Sequence, residues 1–142
     1  MKNPFARKRI LAVCTGNTCR SPMVEAILRN EMSFFKRLRY TVESAGVNGF
    51  AGDSISENSV DALAEIGIDA SNHVVRKLTP SMAKEADLIL CLSNSHRHAC
   101  EDMGANCMIT VMGISDPYCK PIESYRDTMC EIMFKLEGLS LI

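Results

Sequence analysis

Hydrophobic positions along the chain form short apolar runs that alternate with stretches of helical periodicity. Short apolar runs bounded by polar residues predict buried strands, whereas apolar residues spaced three or four apart predict helices that bury one face. The predicted strands cover residues 9–13, 40–44, 87–92 and 107–111, and the predicted helices begin near residues 21, 54, 79, 94 and 121.

The predicted helices carry start and stop signals of their own. Ser21 followed by Pro22 is typical of an N-cap and a first helical residue. Ser54 and Glu57 have the spacing of a capping box, and Gly67 is typical of a C-terminal stop. One apolar stripe predicts that the first helix continues without interruption; it contains Met23, Val24, Ile27, Leu28, Phe34, Phe35 and Leu38.

Strands that alternate with helices indicate a parallel α/β sheet with helices on both faces. We therefore predict a three-layer fold with a four-stranded parallel sheet and flavodoxin-like or Rossmann-like topology, in one domain over residues 1–142. Ligands of such sheets bind at the carboxyl ends of the strands. These ends are the turns that follow Val13, Ser44, Leu92 and Val111.

The composition is typical of soluble globular domains, with 46% hydrophobic and 23% charged residues. It argues against disorder and low-complexity sequence. The longest apolar runs have five residues, which is too short for a membrane span. The basic start at Lys2 leads into no long apolar stretch, so we expect no secretory signal, a cytoplasmic location and no membrane partner.

The net charge of −1 conceals an asymmetry along the chain. Residues 1–39 hold nine Lys/Arg against two Asp/Glu, while the rest holds seven against fifteen. A basic segment beside an acidic body fits either an anionic ligand or a solvated helix face. Arg29, Lys36 and Arg37 fall mostly on the polar side of the first predicted helix. We assign most of the excess to that face and expect no nucleic-acid partner.

Seven cysteines are many for this length, and their number is odd. A disulfide framework favours an even number, and no C-x-x-C pair indicates a zinc or redox motif. A reducing compartment, with most thiols packed as small hydrophobes, is the simpler interpretation. The predicted packing cysteines are Cys91, Cys100, Cys107 and Cys130, while Cys119 has no predicted role.

A metal site formed by His96, His98 and Cys100 is conceivable from composition alone. Residues two apart on a helix do not face the same way, however. We therefore predict a solvated helix here, and neither a metal nor a cofactor.

The turn after the first strand carries the chemistry, and residues 13–22 read VCTGNTCRSP. Backbone N–H groups of a tight loop that leads into a helix can converge on an anion, and the helix dipole adds positive charge there. Arg20 adds a planar fork that matches two phosphate oxygens. Cys14 lies at the centre of this field, which favours a nucleophilic thiolate. The predicted phosphate-binding residues are Thr15, Gly16, Asn17, Thr18, Cys19 and Arg20.

Other phosphate motifs do not fit the sequence. A nucleotide-binding P-loop requires Gly-Lys, which occurs nowhere in the chain. Gly46, Gly49 and Gly52 lack dinucleotide-binding spacing, which indicates an ordinary loop.

Asp116 is the best candidate for a general acid. The sequence Asp-Pro-Tyr at residues 116–118 follows the fourth strand, at the same sheet edge as Cys14. A carboxyl group there could protonate a leaving group and then activate the water that hydrolyses a phosphocysteine. The alternative is that Asp-Pro only initiates a turn.

These motifs resemble those of the low-molecular-weight protein tyrosine phosphatases of the bacterial type. Residues 13–22 and 116–118 carry the resemblance, and residues 43–46, 72–78 and 86–92 match the family's second strand, central loop and third strand. The resemblance implies hydrolysis of a phosphorylated protein substrate through a phosphocysteine intermediate, without a cofactor, by a monomer or weak homodimer.

Residue roles follow from the same resemblance. It implies Cys14 as the nucleophile, Arg20 as the phosphoryl ligand and Asp116 as the acid and base. It implies that Ser21 donates a hydrogen bond to the thiolate.

The resemblance also implies supporting residues around the loop. Asn17 would adopt a left-handed turn tied to Ser44 and His73, although His73 could equally be a solvated loop residue. Cys19 would form a reversible disulfide with Cys14, or serve as a small packing residue, or both.

Position 18 bears on the substrate. Tyrosine phosphatases of this family often carry Ile there and the related bacterial protein arginine phosphatases carry Thr, so Thr18 favours phosphoarginine. Phe50, facing Tyr118, is the candidate aromatic wall of the pocket, or else a core anchor for its own loop.

Three alternative functions stay open. The first is a protein arginine phosphatase as the main activity. The second is a thioredoxin-coupled arsenate reductase, which would relay a disulfide through Cys91 and Cys100, although their spacing is wide and Ser21-Pro22 replaces the usual Ser-Gln. The third is a non-catalytic phosphate-binding or redox-sensing module.

Overall fold

A computed structural model describes residues 6–142, and Lys2 lies outside this range. The strands are β1 (Lys8–Cys14), β2 (Tyr40–Gly46), β3 (Leu88–Cys91) and β4 (Met108–Val111). The helices are α1 (Arg20–Glu31), α2 (Phe34–Arg39), α3 (Glu57–Glu65), α4 (Pro80–Glu85), α5 (Asn94–Asp102) and α6 (Ile122–Gly138). No helix in this part of the chain is both long and apolar enough to cross a membrane.

The four strands form one parallel sheet in the order β2-β1-β3-β4. The register pairs Cys14 with Gly46 and Val13 with Cys91, so β1 lies between its two partners and its carboxyl end meets theirs. This arrangement confirms the predicted parallel α/β fold. It also gathers the four carboxyl-terminal turns at one edge.

Side chains of β1 alternate between two hydrophobic cores. Ile10 and Ala12 belong to the core that packs against α1, α3 and α6, whereas Leu11 and Val13 belong to the core on the side of α4 and α5. All four are at most 1% exposed. The predicted three layers are therefore present, with helices on both faces.

Two predicted helix starts are wrong. The first helix begins at Arg20, with Cys19 at the N-cap, and Ser21 lies inside it. The third begins at Glu57 behind Ser56, whose hydroxyl accepts a hydrogen bond from the backbone of Ser59. Ser54 cannot be the cap because its backbone forms an antiparallel bridge with a neighbouring segment.

The predicted single stripe of the first helix is also wrong. The chain leaves α1 after Glu31 and starts α2 behind Ser33, whose hydroxyl accepts a hydrogen bond from the backbone of Lys36. Because the new helix has its own orientation, Phe34 and Phe35 are 70% and 73% exposed.

The cysteines differ in burial. Cys91 and Cys100 are fully buried, as a packing role requires. Cys130 is exposed, and the prediction that it packs is wrong because α6 buries the neighbouring positions Met129 and Ile132 instead. Cys119 is also exposed.

Candidate active site

Residues 14–20 form a loop, here called the phosphate loop, that joins the end of β1 to the start of α1. The loop is the floor of a cleft of about 420 Å³. The residues that line the cleft are Cys14, Thr15, Gly16, Thr18, Cys19, Arg20, Asn48, Phe50, Asp53, Asp116 and Tyr118. The structure thus brings the predicted nucleophile, phosphoryl ligand and acid into one cavity.

Hydrogen-bond donors surround the sulfur of Cys14. The backbone N–H of Asn17 donates to Sγ at 3.3 Å, and the hydroxyl of Ser21 lies 2.9 Å from Sγ. Asn17 Nδ2 donates to Ser21 Oγ at 2.8 Å, so the proton of that hydroxyl can point at the sulfur, which is closer than its other acceptor, the Ala45 carbonyl at 3.5 Å. These contacts and the N-terminus of α1 all lie at the sulfur of Cys14.

The Arg20 side chain is held at the back of the cleft. Its Nη1 donates to the carbonyl of Ile114 at 2.8 Å, and its Nη2 lies 3.6 Å from Oδ2 of Asp116. The guanidinium is buried, whereas the side chain of Asp116 is 47% exposed. Asp116 also accepts a hydrogen bond at 3.1 Å from the backbone of Tyr118. The Asp-Pro turn therefore exists and directs its carboxylate into the cleft.

Asn17 supports the phosphate loop from behind. It is fully buried and has a positive φ of 55°, in the left-handed region. Its Oδ1 accepts hydrogen bonds from His73 Nε2 at 3.1 Å and from the Arg76 backbone at 3.0 Å, while its Nδ2 also donates to Ser44 Oγ at 2.8 Å. The His73 side chain is 7% exposed, which contradicts the alternative of a solvated loop residue.

Glu25, which has no predicted role, completes this network. Its carboxylate lies 3.3 Å from His73 Nδ1 and from Arg76 Nη1, and 3.4 Å from Arg29 Nη1. Burial would raise the pKa of Glu25, but the hydrogen bond from His73 and the charges of Arg29, His73 and Arg76 outweigh it and lower that pKa. A signal was present in the sequence, since Glu25 lies one helical turn after Ser21 on the same face.

His96 is the second residue without a predicted role, and the prediction of a solvated helix is wrong for it. The side chain is 2% exposed. Its Nδ1 accepts a hydrogen bond from the Ser93 backbone at 3.0 Å, so Nε2 carries the proton and donates to Thr15 Oγ1 at 2.9 Å. Burial and the nearby charge of Arg20 lower the pKa of His96 to about 4. Its place just after β3, at the ligand-binding edge, was the available signal.

Two aromatic rings flank the mouth of the cleft. Phe50 is 77% exposed and Tyr118 is 64% exposed. Such exposure contradicts the alternative in which Phe50 anchors its loop in the core. Thr18 and Asp53 add a hydroxyl and a carboxylate to the same walls.

Cys19 is buried beside the phosphate loop. Its sulfur lies 3.5 Å from the hydroxyl of Ser56 and 3.6 Å from that of Tyr125. Burial, together with the contact to Cys19, raises the pKa of Tyr125 to about 12. Cys19 therefore has packing partners. Among residues 6–142, no group of three or more His, Cys, Asp or Glu side chains is arranged to hold a metal ion.

Comparisons with known proteins agree with this geometry. The family described as "Low molecular weight phosphotyrosine protein phosphatase" matches residues 9–140. The low molecular weight protein-tyrosine-phosphatase Ptp of Acinetobacter johnsonii is 42% identical over 92 residues, which are 64% of this chain and 61% of that protein. A crystal structure of a low molecular weight protein tyrosine phosphatase from T. tengcongensis superimposes with a TM-score of 0.84 at 34% identity, covering 94% of this chain and 97% of that one.

Relatives with two other activities are also similar. The protein-arginine-phosphatase of Bacillus subtilis is 41% identical over 88 residues, which are 62% of this chain and 57% of that protein. The arsenate reductase of Staphylococcus aureus strain Newman is 28% identical over 134 residues, which are 94% of this chain and 97% of that protein. The matched segments thus span less than two thirds of the Acinetobacter and Bacillus relatives.

Proposed function

The chain belongs to the low molecular weight phosphotyrosine protein phosphatases, a family of cysteine-based phosphatases, and from this premise we propose that it hydrolyses phosphotyrosine in protein substrates. One observation carries the proposal. The sulfur of Cys14 lies at the floor of a cleft, 2.9 Å from the Ser21 hydroxyl, with the buried guanidinium of Arg20 lining the same cavity.

In the first step, the thiolate of Cys14 attacks phosphorus while Arg20 and the loop N–H groups hold the phosphoryl oxygens. The S–P bond forms as the bond from phosphorus to the tyrosyl oxygen breaks. Asp116, as a carboxylic acid, gives its proton to that oxygen, so that tyrosine leaves neutral. A phosphoryl group on Arg20 would also replace the present 3.6 Å contact with Asp116 and release the acid toward the leaving group.

In the second step, a water molecule attacks the phosphorus of the phosphocysteine. The carboxylate of Asp116 takes a proton from this water, and the electron pair of the S–P bond returns to Cys14. Inorganic phosphate then leaves. Asp116 is suited to both roles because its side chain is 47% exposed, so water reaches it.

Turnover of p-nitrophenyl phosphate and phenyl phosphate tests the roles of Cys14 and Asp116. Cys14→Ser is expected to abolish turnover while the melting temperature stays close to that of the wild type. Asp116→Asn is expected to lower kcat by about two to four orders of magnitude for phenyl phosphate, whose leaving group is poor. A Cys14→Ser variant that retains activity, or an Asp116→Asn variant within threefold of the wild type, contradicts the mechanism.

Phosphoarginine is the second candidate substrate, and the polar walls of the cleft favour it. Thr18 lines the cleft, as do the carboxylates of Asp53 and Asp116, which could meet a guanidinium. The two aromatic rings at the mouth suit either substrate, because guanidinium groups stack on aromatic faces as phenol rings do.

Competition between phosphotyrosine and phosphoarginine peptides of one sequence distinguishes the two substrates. We expect the phosphotyrosine peptide to have the higher kcat/KM, and Thr18→Ile to widen the ratio in its favour. The reverse ranking in the wild type would identify a protein arginine phosphatase.

The remaining alternatives have less support. Cys91 and Cys100 are fully buried, and the hydrogen bond with Cys100, together with burial, raises the pKa of the Cys91 thiol. A disulfide relay through them would have no route to thioredoxin. A non-catalytic module would be expected to lack the nucleophile, the arginine or the acid, and all three are present.

A further inference from the structure

A groove lined by arginines runs along β2, which is one of the two edge strands of the sheet. It consists of two adjoining depressions of about 610 and 300 Å³ that share Arg7, Arg29, Thr41 and Val42. We call this feature the edge groove. Its five arginines are Arg7, Arg9, Arg29, Arg37 and Arg76, and Glu43 is the single acidic lining residue in the part of the chain that the structure describes.

Four of the five arginines of the edge groove are held by hydrogen bonds or ion pairs, Arg9 by an ion pair with Glu85, and all four stay partly exposed. Arg29 donates from Nε and Nη2 to the carbonyl of Val42, at 3.1 and 2.6 Å. Arg29 and Arg76 share one buried carboxylate, that of Glu25, and their side chains are still 55% and 43% exposed. Such half-exposed, pre-positioned guanidiniums are what bidentate recognition of carboxylate or phosphate requires.

The shape of the edge groove indicates what it binds. The stretch of β2 along it, from Tyr40 to Glu43, is about 13 Å long at the rise of an extended strand. This length fits about four residues of an extended peptide. Among residues 6–142, Tyr40 is the one aromatic residue that lines the groove, and one ring is fewer than the row on which nucleic-acid bases stack. It is concave and charged, unlike an apolar surface that inserts into a membrane.

The edge groove also lies close to the cleft. The backbone of Arg76 donates to Asn17 Oδ1 at 3.0 Å, which places that end of the groove directly behind the phosphate loop. The chain that leaves β2 contributes Asn48 and Phe50 to the cleft. One substrate protein can therefore reach both sites.

We propose that the edge groove binds an acidic segment of the phosphoprotein substrate, separate from the phosphorylated residue in the cleft. This proposal rests on the proposed phosphatase activity. The segment carries Asp, Glu or further phosphorylated residues. Its docking lowers KM and leaves kcat unchanged, because the groove does not touch the reacting atoms.

Two phosphotyrosine peptides, identical except for an extension of eight glutamates, test the proposal by steady-state kinetics. The wild type is expected to favour the extended peptide by about tenfold in KM, from a few charge-assisted contacts. The double variant Arg7→Glu/Arg9→Gln is expected to lose this preference. The control Arg97→Glu/Lys135→Gln changes the net charge equally, lines no part of the groove, and is expected to keep it.

Two further measurements separate this proposal from the proposed function. All variants are expected to turn over p-nitrophenyl phosphate at the wild-type rate. If the wild type does not turn over this substrate, that result contradicts the proposed phosphatase activity and not the docking of the acidic segment. Fluorescence anisotropy with the unphosphorylated octaglutamate peptide measures docking without turnover. The proposal is overturned if the groove variant binds the peptide as tightly as the wild type, or if the control loses as much affinity as the groove variant. It is also overturned if the wild type binds an oligonucleotide or anionic vesicles more tightly than the peptide.

Discussion

Replacing His96 by glutamine is expected to remove one defined contribution to the pH dependence of stability between pH 6.5 and 4. The imidazole is 2% exposed, and its Nδ1 accepts a hydrogen bond from the Ser93 backbone, so the folded protein holds it neutral. Protonation would place a second positive charge near Arg20 in a buried site. The folded pKa of about 4 reflects both effects.

The sign and size of the effect follow from proton linkage. Below pH 6.5, the ordinary pKa of histidine, the unfolded chain binds a proton that the folded chain does not. The stability contributed by neutral His96 is therefore complete above pH 6.5, falls with pH, and levels off near pH 4. The gap between the two pKa values corresponds to about 3 kcal/mol of unfolding free energy.

Urea denaturation at pH 7, 6, 5 and 4.5 measures this contribution. Over this range the unfolding free energy of the wild type is expected to fall further than that of His96→Gln, and the difference is most of the 3 kcal/mol. The matched control is His98→Gln on the same helix, because His98 is exposed and is expected to leave the slope unchanged. Equal slopes in the wild type and His96→Gln, or an imidazole of His96 that titrates near pH 6.5 in folded-state NMR, would refute the reasoning.

Three further predictions concern the support of the phosphate loop. Asn17→Ala removes four buried side-chain hydrogen bonds and is expected to lower the free energy of unfolding, measured by urea denaturation, by about 3–5 kcal/mol. Asn17→Gly is expected to lower it by about 1 kcal/mol less, because glycine tolerates the positive φ at this position. Gly46→Ala places a Cβ 2.7 Å from the backbone of the phosphate loop. It is expected to reduce p-nitrophenyl phosphate turnover at least tenfold, roughly the effect of a misplaced catalytic group. Gly138→Ala is the control, because a Cβ there meets no atom within 4 Å. The lowered pKa of Glu25 means that its carboxylate stabilises the fold at a pH above the ordinary pKa of glutamate, and that this stability is lost as the pH falls through the pKa of the folded protein. Glu25→Gln should therefore lose less stability than the wild type below pH 4.5.

The hydrophobic pattern was sufficient to predict the sheet. The last five residues of β1 are apolar and all are buried, so their sequence alone indicates a core strand. The pattern could not predict which polar residues serve tertiary contacts. Ser21 has the chemistry of an N-cap, but its hydroxyl contacts Cys14 and Asn17 instead. The same local chemistry fits both uses, and only the packing of α1 against the loop decides between them.

The support network shows the same limit. Glu25 and His73 are 48 residues apart, and His96 reaches Thr15 across 81 residues. Local spacing can place Glu25 on the face of Ser21 and His96 at the ligand-binding edge, but it does not show which distant side chains they meet. The meeting of Cys14, Arg20 and Asp116 in one cleft was predictable because the loop is local and because the carboxyl ends of parallel strands lie at one edge.

The central position of β1 has a consequence for synthesis of the protein. β1 leaves the ribosome before both of its neighbours, and one of them, β3, ends only at Cys91. At about 5–20 residues per second, the ribosome adds that strand roughly 4–15 s after Cys14. During this interval the sheet is incomplete, and the backbone N–H and C=O groups of β1 that pair with β3 have no partner strand. A nascent chain stalled before β3 should therefore be a target for chaperones and lack activity, although it already contains the complete phosphate loop sequence.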